Sequence, residues 1–182
     1  MRRPELMFDD ALRTFLEREG QSLLTCVSER NTCARLDYFI ERQLEQEGVT
    51  GYYADVEYNR KQRGMVKTII NNEFQIVAIT ADLIVHSRGE KPFPHDNLIA
   101  VEAKKASRPT KEKAEDIYRL IAMTRKPLED VWGWEVAHPE HVCGYSVGIF
   151  MEIFQKEQKV SLEYFKKGIK TKERLLPITG SV

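Results

Sequence analysis

The chain has 182 residues, a formal net charge of zero, 42% hydrophobic residues and 31% charged ones. That length allows one domain with a proper core, and that balance is the composition of an ordinary soluble globular protein. It has no low-complexity tract, no internal repeat and no apolar run long enough to span a membrane, so neither a membrane-spanning helix nor a repeat architecture is expected.

Charge is unevenly placed. Residues 1–60 hold 8 Lys/Arg against 12 Asp/Glu, residues 104–126 hold 8 against 3, and residues 156–174 hold 7 against 3. A basic second half either attracts a polyanion or is a set of solvated helix faces and a basic tail. Cys26, Cys33 and Cys143 are an odd set without a CxxC pair, which points to reduced thiols. The start, MRRPELMFDD, turns acidic too early for a signal peptide, so a cytoplasmic location is expected.

Leu6, Leu12, Phe15 and Leu16 give residues 5–19 a helical apolar stripe, and Gly20 is the expected stop. Ser28 is the expected N-cap of a second helix with Cys33, Leu36, Ile40 and Leu44 on its apolar face, closed by Gly48 and Gly51. Tyr52–Asn59 alternates and reads as a strand. MVKTII and FQIVAI look extended, and Phe74–His86 reads as one long, bent strand. SRGEKPFPHD breaks regular structure, and Asn97–Lys105 is the next strand. Thr110 caps a helix over Lys111–Thr124 that presents Ala114, Ile117, Ile121 and Thr124. Residues 125–142 are irregular, CGYSVGIFMEIF is a strand, KVSLEYF pairs back onto it through QKEQ, and the remainder is a loose tail. The fold class is α/β, a mixed central sheet flanked by helices.

The stretch ITADLIVHSRGEKPFPHDNLIAVEAKKA carries Asp82, Glu102 and Lys104 inside apolar runs, where an unpartnered charge is costly. Glu102 and Lys104 share a face, because side chains alternate along a strand. The turn between the runs centres near position 92, with Asp82 ten residues before it and Glu102 ten after. An antiparallel hairpin therefore sets the two carboxylates opposite each other, with Cβ atoms ~5 Å apart. Such a pair repels unless a cation lies between them, and a hard divalent ion such as Mg²⁺ accepts one or two acids. On this reading Asp82→Ala relieves repulsion in the metal-free chain. The alternative is a buried ion pair of Lys104 with Asp82 or Glu102 that has no chemistry. Glu29 opens the second helix on the core side of Cys33 and Leu36, where it is a third acid for the site or simply favours the helix dipole.

Ala81–Asp82 followed by Glu102-Ala103-Lys104 resembles the PD-(D/E)XK nuclease superfamily, with Ala81 in place of the motif's proline. The resemblance covers roughly Ser28 to Phe154 and is greatest to small stand-alone bacterial members of unassigned function. It implies a restriction-endonuclease-like core of α-β-β-β-α-β order within a single domain over 1–182 (core 28–154, N-terminal helix 5–19, hairpin strand and tail 155–182). It also implies a metal-dependent nuclease. Asp82, Glu102, Glu29 and the main-chain carbonyl of Ala103 would bind Mg²⁺, or Mn²⁺ in its place, and Lys104 would orient the attacking water and stabilise charge on the phosphate. Lys105, Arg108, Lys111 and Lys113 would hold the nucleic-acid backbone, with DNA expected ahead of RNA. A homodimer or partner protein would serve targeting. The rival is an inactive member acting as a nucleic-acid-binding or scaffold subunit.

Several other residues compete for roles. His138, His141 and Cys143 suggest zinc but lack a fourth ligand. A second E-x-K, Glu157–Lys159, lies in a polar turn without a partner acid. His86 reads as structural. Asp116 and Tyr118 either touch the site or belong to a solvated face, Arg35 binds phosphate or an acid, and Glu57 and Arg60 have no assigned role.

Overall fold

A computed structural model describes residues 2–25, 27–58, 68–70, 76–78, 80–92, 94–126 and 143–179. Helix α1 spans Pro4–Leu24, with proline in its first turn, where the missing N–H costs no helical bond. It runs through Gly20, contrary to the expected stop there. A Cβ at this position would lie 3.0 Å from both Ile178 Cγ2 and the Thr179 carbonyl oxygen. The glycine serves close packing, and the burial of Leu16 and Leu23 around it outweighs its ~1 kcal/mol helix penalty.

Helix α2 spans Glu29–Gln46, and Ser28 caps it as expected, its hydroxyl accepting the Asn31 N–H at 3.1 Å. Cys33, Leu36, Ile40 and Leu44 are all buried. Phe15 of α1 meets Phe39 of α2 edge to face, with centroids 5.7 Å apart.

The strands are β1 (Tyr53–Val56), β2 (Thr68–Ile70), β3 (Ile76–Ala78), β4 (Leu83–His86), β5 (Asn97–Lys105), β6 (Val147–Phe154), β7 (Lys159–Lys166) and β8 (Ile169–Pro177). Six form one sheet in the order β1-β4-β5-β6-β7-β8, and β2 pairs with β3 apart from it. β5 and β6 are parallel and the other neighbours antiparallel. A parallel pair needs a crossover, and helix α3 (Thr110–Thr124) lies on it. The architecture is thus α/β around a mixed open sheet. Helices α1 and α2 cover one face over the larger core, and α3 covers a smaller cluster on the other. Among the described residues no helix is long and apolar enough to cross a membrane.

Four element expectations need correction. Phe74–His86 is not one strand: β3 belongs to the small sheet, and Thr80–Asp82 interrupts the path to β4. Strand β1 stops at Val56, because Glu57 takes a φ of 51°. Helix α3 starts at Thr110 itself, behind Pro109, and no side chain caps it. Its buried residues are Asp116, Leu120, Met123 and Thr124; of the expected Ala114–Ile117–Ile121–Thr124 stripe Thr124 is buried, and Ile117 and Ile121 pack half-buried against the smaller cluster. The tail is in fact strand β8. Lys167 and Gly168, with φ of 53° and 78°, form the two-residue turn that joins it to β7. Its charges suit an edge strand, and Lys172 and Arg174 tie it to buried Asp9 of α1 at 3.3 and 2.5 Å.

Gly148 of β6 sets how closely α3 approaches the sheet. A Cβ there would sit 3.0 Å from Thr124 Cγ2 and 3.3 Å from Leu120 Cβ. Gly148→Val is expected to cost ~1–3 kcal/mol by overpacking. A denaturant melt checks this, and an unchanged midpoint would show that α3 yields freely.

Candidate active site

The β4–β5 register pairs Leu83 with Val101 and Ile84 with Ala100. One further step sets Asp82 opposite Glu102, the pairing expected from the position of the turn. The bulge at Val85/His86 lies towards the turn, so it does not disturb this end. Ala100 packs under α3 while Val101 and Ala103 enter the core beneath α1 and α2, so Glu102 and Lys104 turn to the α3 side.

Asp82 sits one residue before β4 and continues the ladder with its side chain: Oδ2 accepts the Ala103 N–H at 2.9 Å. This bond alters the expectation that Asp82→Ala relieves repulsion without cost. Alanine strands the Ala103 N–H, and a loss of ~1–3 kcal/mol is expected. Asp82→Asn keeps an acceptor and should melt within about 1 kcal/mol of wild type. Equal losses in both variants would show that the charge, not the hydrogen bond, matters.

Glu102 is 0% exposed. Its Oε1 accepts from Arg119 Nε at 2.9 Å, and its buried Oε2 has no hydrogen-bond partner among the described residues. Burial pushes its carboxyl up to about 8; Arg119 opposes this, and the nearby Asp82 and Asp116 reinforce it. Lys104, 13% exposed, places Nζ 3.0 Å from Asp116 Oδ2 and 3.9 Å from Asp82 Oδ2. The Asp116 contact is one of charge without hydrogen-bond geometry. Burial alone would lower the Lys104 pKa, but Asp82 and Asp116 outweigh it, so the ammonium stays charged. Asp116, raised chiefly by burial, also pairs with Arg119 one turn along α3.

Glu29 is brought to the same end of β5, where its Oε1 accepts the Lys105 N–H at 2.9 Å and lies 3.6 Å from Arg108 Nε. Cys33 lies beneath this group. Burial first, then Asp82, Glu102 and Glu29, push its thiol up, so it is an inert core residue.

The expected backbone-binding residues differ in placement. Lys111 is 88% exposed. Arg108 leans on Glu112 at 3.2 Å. Lys113 is directed inward, donating to Glu152 Oε1 at 2.6 Å and to the Ala106 carbonyl at 2.7 Å. It clamps α3 to β6, and its side chain is 17% exposed.

Of the remaining candidates, Tyr118 is exposed, and three others have partners within the protein. His86 Nε2 meets Asp55 at 2.9 Å, Arg35 forks onto Glu19, and Glu57 pairs with Arg30 at 3.1 Å. Cys143 is buried, which pushes its thiol up to about 11; His138, His141 and Arg60 lie outside the described residues. Glu157 falls in the turn before β7. Sequence reasoning missed Arg119 and undervalued Asp116. The signal was present, since residues three apart on a helix are neighbours and these carry opposite charge.

Among the described residues no three acidic, histidine or cysteine side chains converge as a ready-made metal cage. The donor set nonetheless suits a hard ion, because Mg²⁺ needs only one or two carboxylates and keeps its waters. Glu102 Oε2 is buried and takes no hydrogen bond among the described residues. In an extended strand a residue's N–H and C=O leave on one edge, so Ala103 presents its carbonyl on the side of Asp82. Among the described residues Asp82, Glu102 and Asp116 have Lys104 and Arg119 as their close cations, while Glu29 pairs with Arg108. Comparison with protein families, with curated proteins and with solved structures finds no match.

Proposed function

We propose that the chain is a Mg²⁺-dependent nuclease of the PD-(D/E)XK kind that hydrolyses phosphodiester bonds, with DNA ahead of RNA as substrate. The observation that carries this reading is the facing of Asp82 and Glu102 across β4 and β5, with Lys104 on the same side and Glu102 Oε2 taking no hydrogen bond among the described residues. Asp82, Glu102 and the Ala103 carbonyl would hold the cation, which Glu29 supports from the end of α2. A bound cation would supply Lewis-acid stabilisation of charge on the phosphate. Lys104, held charged by Asp82 and Asp116, donates from Nζ to the attacking water or to a non-bridging oxygen rather than taking a proton. Lys105, Arg108 and Lys111 would follow the backbone, and Lys113 is left out of that set.

Lys111→Ala is expected to flatten the salt dependence of duplex binding by ~0.9 per lost phosphate contact and to leave the melting temperature unchanged. Lys113→Ala should instead lower stability, because it strands Glu152. The same salt slope in Lys111→Ala and wild type would make Lys111 a solvated side chain.

The rival, a non-cutting nucleic-acid-binding or scaffold subunit, draws support from one observation: Arg119 and Lys104 already partner the buried acids. Incubation with labelled single- and double-stranded DNA and RNA separates the two. The enzyme cuts at least one of them with Mg²⁺ or Mn²⁺ and none with EDTA. Binding without cleavage under every metal supports the rival.

A further inference from the structure

Five ionisable side chains form a row in which acids and bases alternate: Asp82, Lys104, Asp116, Arg119, Glu102. Lys104 Nζ lies 3.9 Å from Asp82 and 3.0 Å from Asp116. Arg119 then bridges Asp116, through Nη2, to Glu102, through Nε at 2.9 Å. The row's two ends are the carboxylates that face each other across β4 and β5. Buried Asp116 at its centre holds both cations, so Lys104 and Arg119 are fixed on one side of the acid pair.

Arg119 has a donor left over. Its Nε and Nη2 are engaged by carboxylates, Nη1 makes no hydrogen bond among the described residues, and the side chain is 25% exposed. A planar guanidinium with two nitrogens anchored and a third open is preorganised for one more oxygen. Glu102 divides its oxygens in the same way: Oε1 takes Arg119 and Oε2 stays open. A cation on Oε2 and Arg119 on Oε1 would flank a single carboxylate.

We propose that Arg119 is a substrate-contacting residue that donates from Nη1 to a non-bridging oxygen of the scissile phosphodiester, and that Asp116 positions both Arg119 and Lys104 for it. This rests on the nuclease reading above and assigns the second positive charge beside the phosphate. A purely structural Arg119 would neutralise Glu102 and never meet substrate.

The test uses the full chain with fluorescein-labelled duplex DNA, its single strand and the matching RNA. Cleavage is followed with Mg²⁺, and binding with Ca²⁺ in its place across a salt series. Arg119→Lys keeps a charge for Glu102 but loses the fork. Arg119→Gln removes the charge. Both are compared with wild type by melting temperature and by Mg²⁺ calorimetry. The expected result for Arg119→Lys is cleavage lowered roughly 100-fold or more, a loss of the size seen for one transition-state donor, with Mg²⁺ affinity within about 3-fold of wild type. Arg119→Gln should flatten the salt slope of binding by ~0.7–0.9 if it stays folded. Asp116→Asn should lower kcat with little change in KM, since it acts through its two partners. Wild-type cleavage with an unimpaired Arg119→Lys overturns the Arg119 assignment alone. A wild type that cuts none of the three nucleic acids overturns the nuclease reading and this assignment with it.

Discussion

Lys104→Ala is expected to lower cleavage by ~10³-fold or more while leaving Mg²⁺ affinity within about 3-fold of wild type. Lysine offers no lone pair while charged, and the raised pKa of Lys104 keeps it charged at neutral pH. Its loss therefore removes a donor to water and phosphate but no metal ligand. The stability cost should stay below the ~3–5 kcal/mol typical of breaking a buried pair, because each former partner keeps another bond. Asp116 retains Arg119, and Asp82 retains the Ala103 N–H. Single-turnover cleavage, calorimetry and a thermal melt together check this. If Lys104→Ala cuts at the wild-type rate, the lysine belongs to a structural ion pair and not to the chemistry.

Glu102→Gln should have the second large effect, and its sign depends on pH. The Glu102 carboxyl is raised to about 8 from an ordinary 4.5. Between those values the folded chain holds a proton that the unfolded chain releases. Stability from this group therefore falls as pH rises through that window, and the loss is complete above the folded pKa. Its full extent is on the order of a few kcal/mol. Glutamine never ionises and still offers an oxygen to Arg119. Without metal, Glu102→Gln should thus melt at least as high as wild type at pH near 8 and lose wild type's decline from acid to alkaline pH. Mg²⁺ should raise the melting temperature of wild type at that pH and leave Glu102→Gln unmoved. A large loss in Glu102→Gln at every pH, insensitive to EDTA, would mean that the charge of Glu102 serves the Arg119 pair and the fold.

The site was legible where its signal is local. Strand alternation placed Glu102 and Lys104 on one face, and the position of the turn gave the Asp82–Glu102 register, since a hairpin's pairing follows from its centre. Ser28 and the Cys33–Leu36–Ile40–Leu44 stripe placed α2, because an N-cap and a regular apolar period agree there. Strand β8 was hidden because an edge strand rich in Lys and Arg has no apolar alternation to read. The buried face of α3 was read only in part, for a related reason. Its apolar residues suggested one face, but Asp116 points inward to meet Lys104, a partner from another strand that no local pattern reveals. Arg119 went unnoticed because its value comes from Glu102, seventeen residues away in sequence. The inward turn of Lys113 likewise depends on Glu152 of β6.

Calorimetric titration with Mg²⁺ at neutral pH asks whether Asp82 and Glu102 together hold one divalent cation. Running it in two buffers of different ionisation enthalpy also counts protons, because a neutral Glu102 must release its proton to bind a cation. The expected result is one Mg²⁺ per wild-type chain with proton release, binding weakened at least ~10-fold in Asp82→Asn, and binding lost in Glu102→Gln. No Mg²⁺ or Mn²⁺ binding by the folded wild type, or binding that both substitutions leave unchanged, would contradict it.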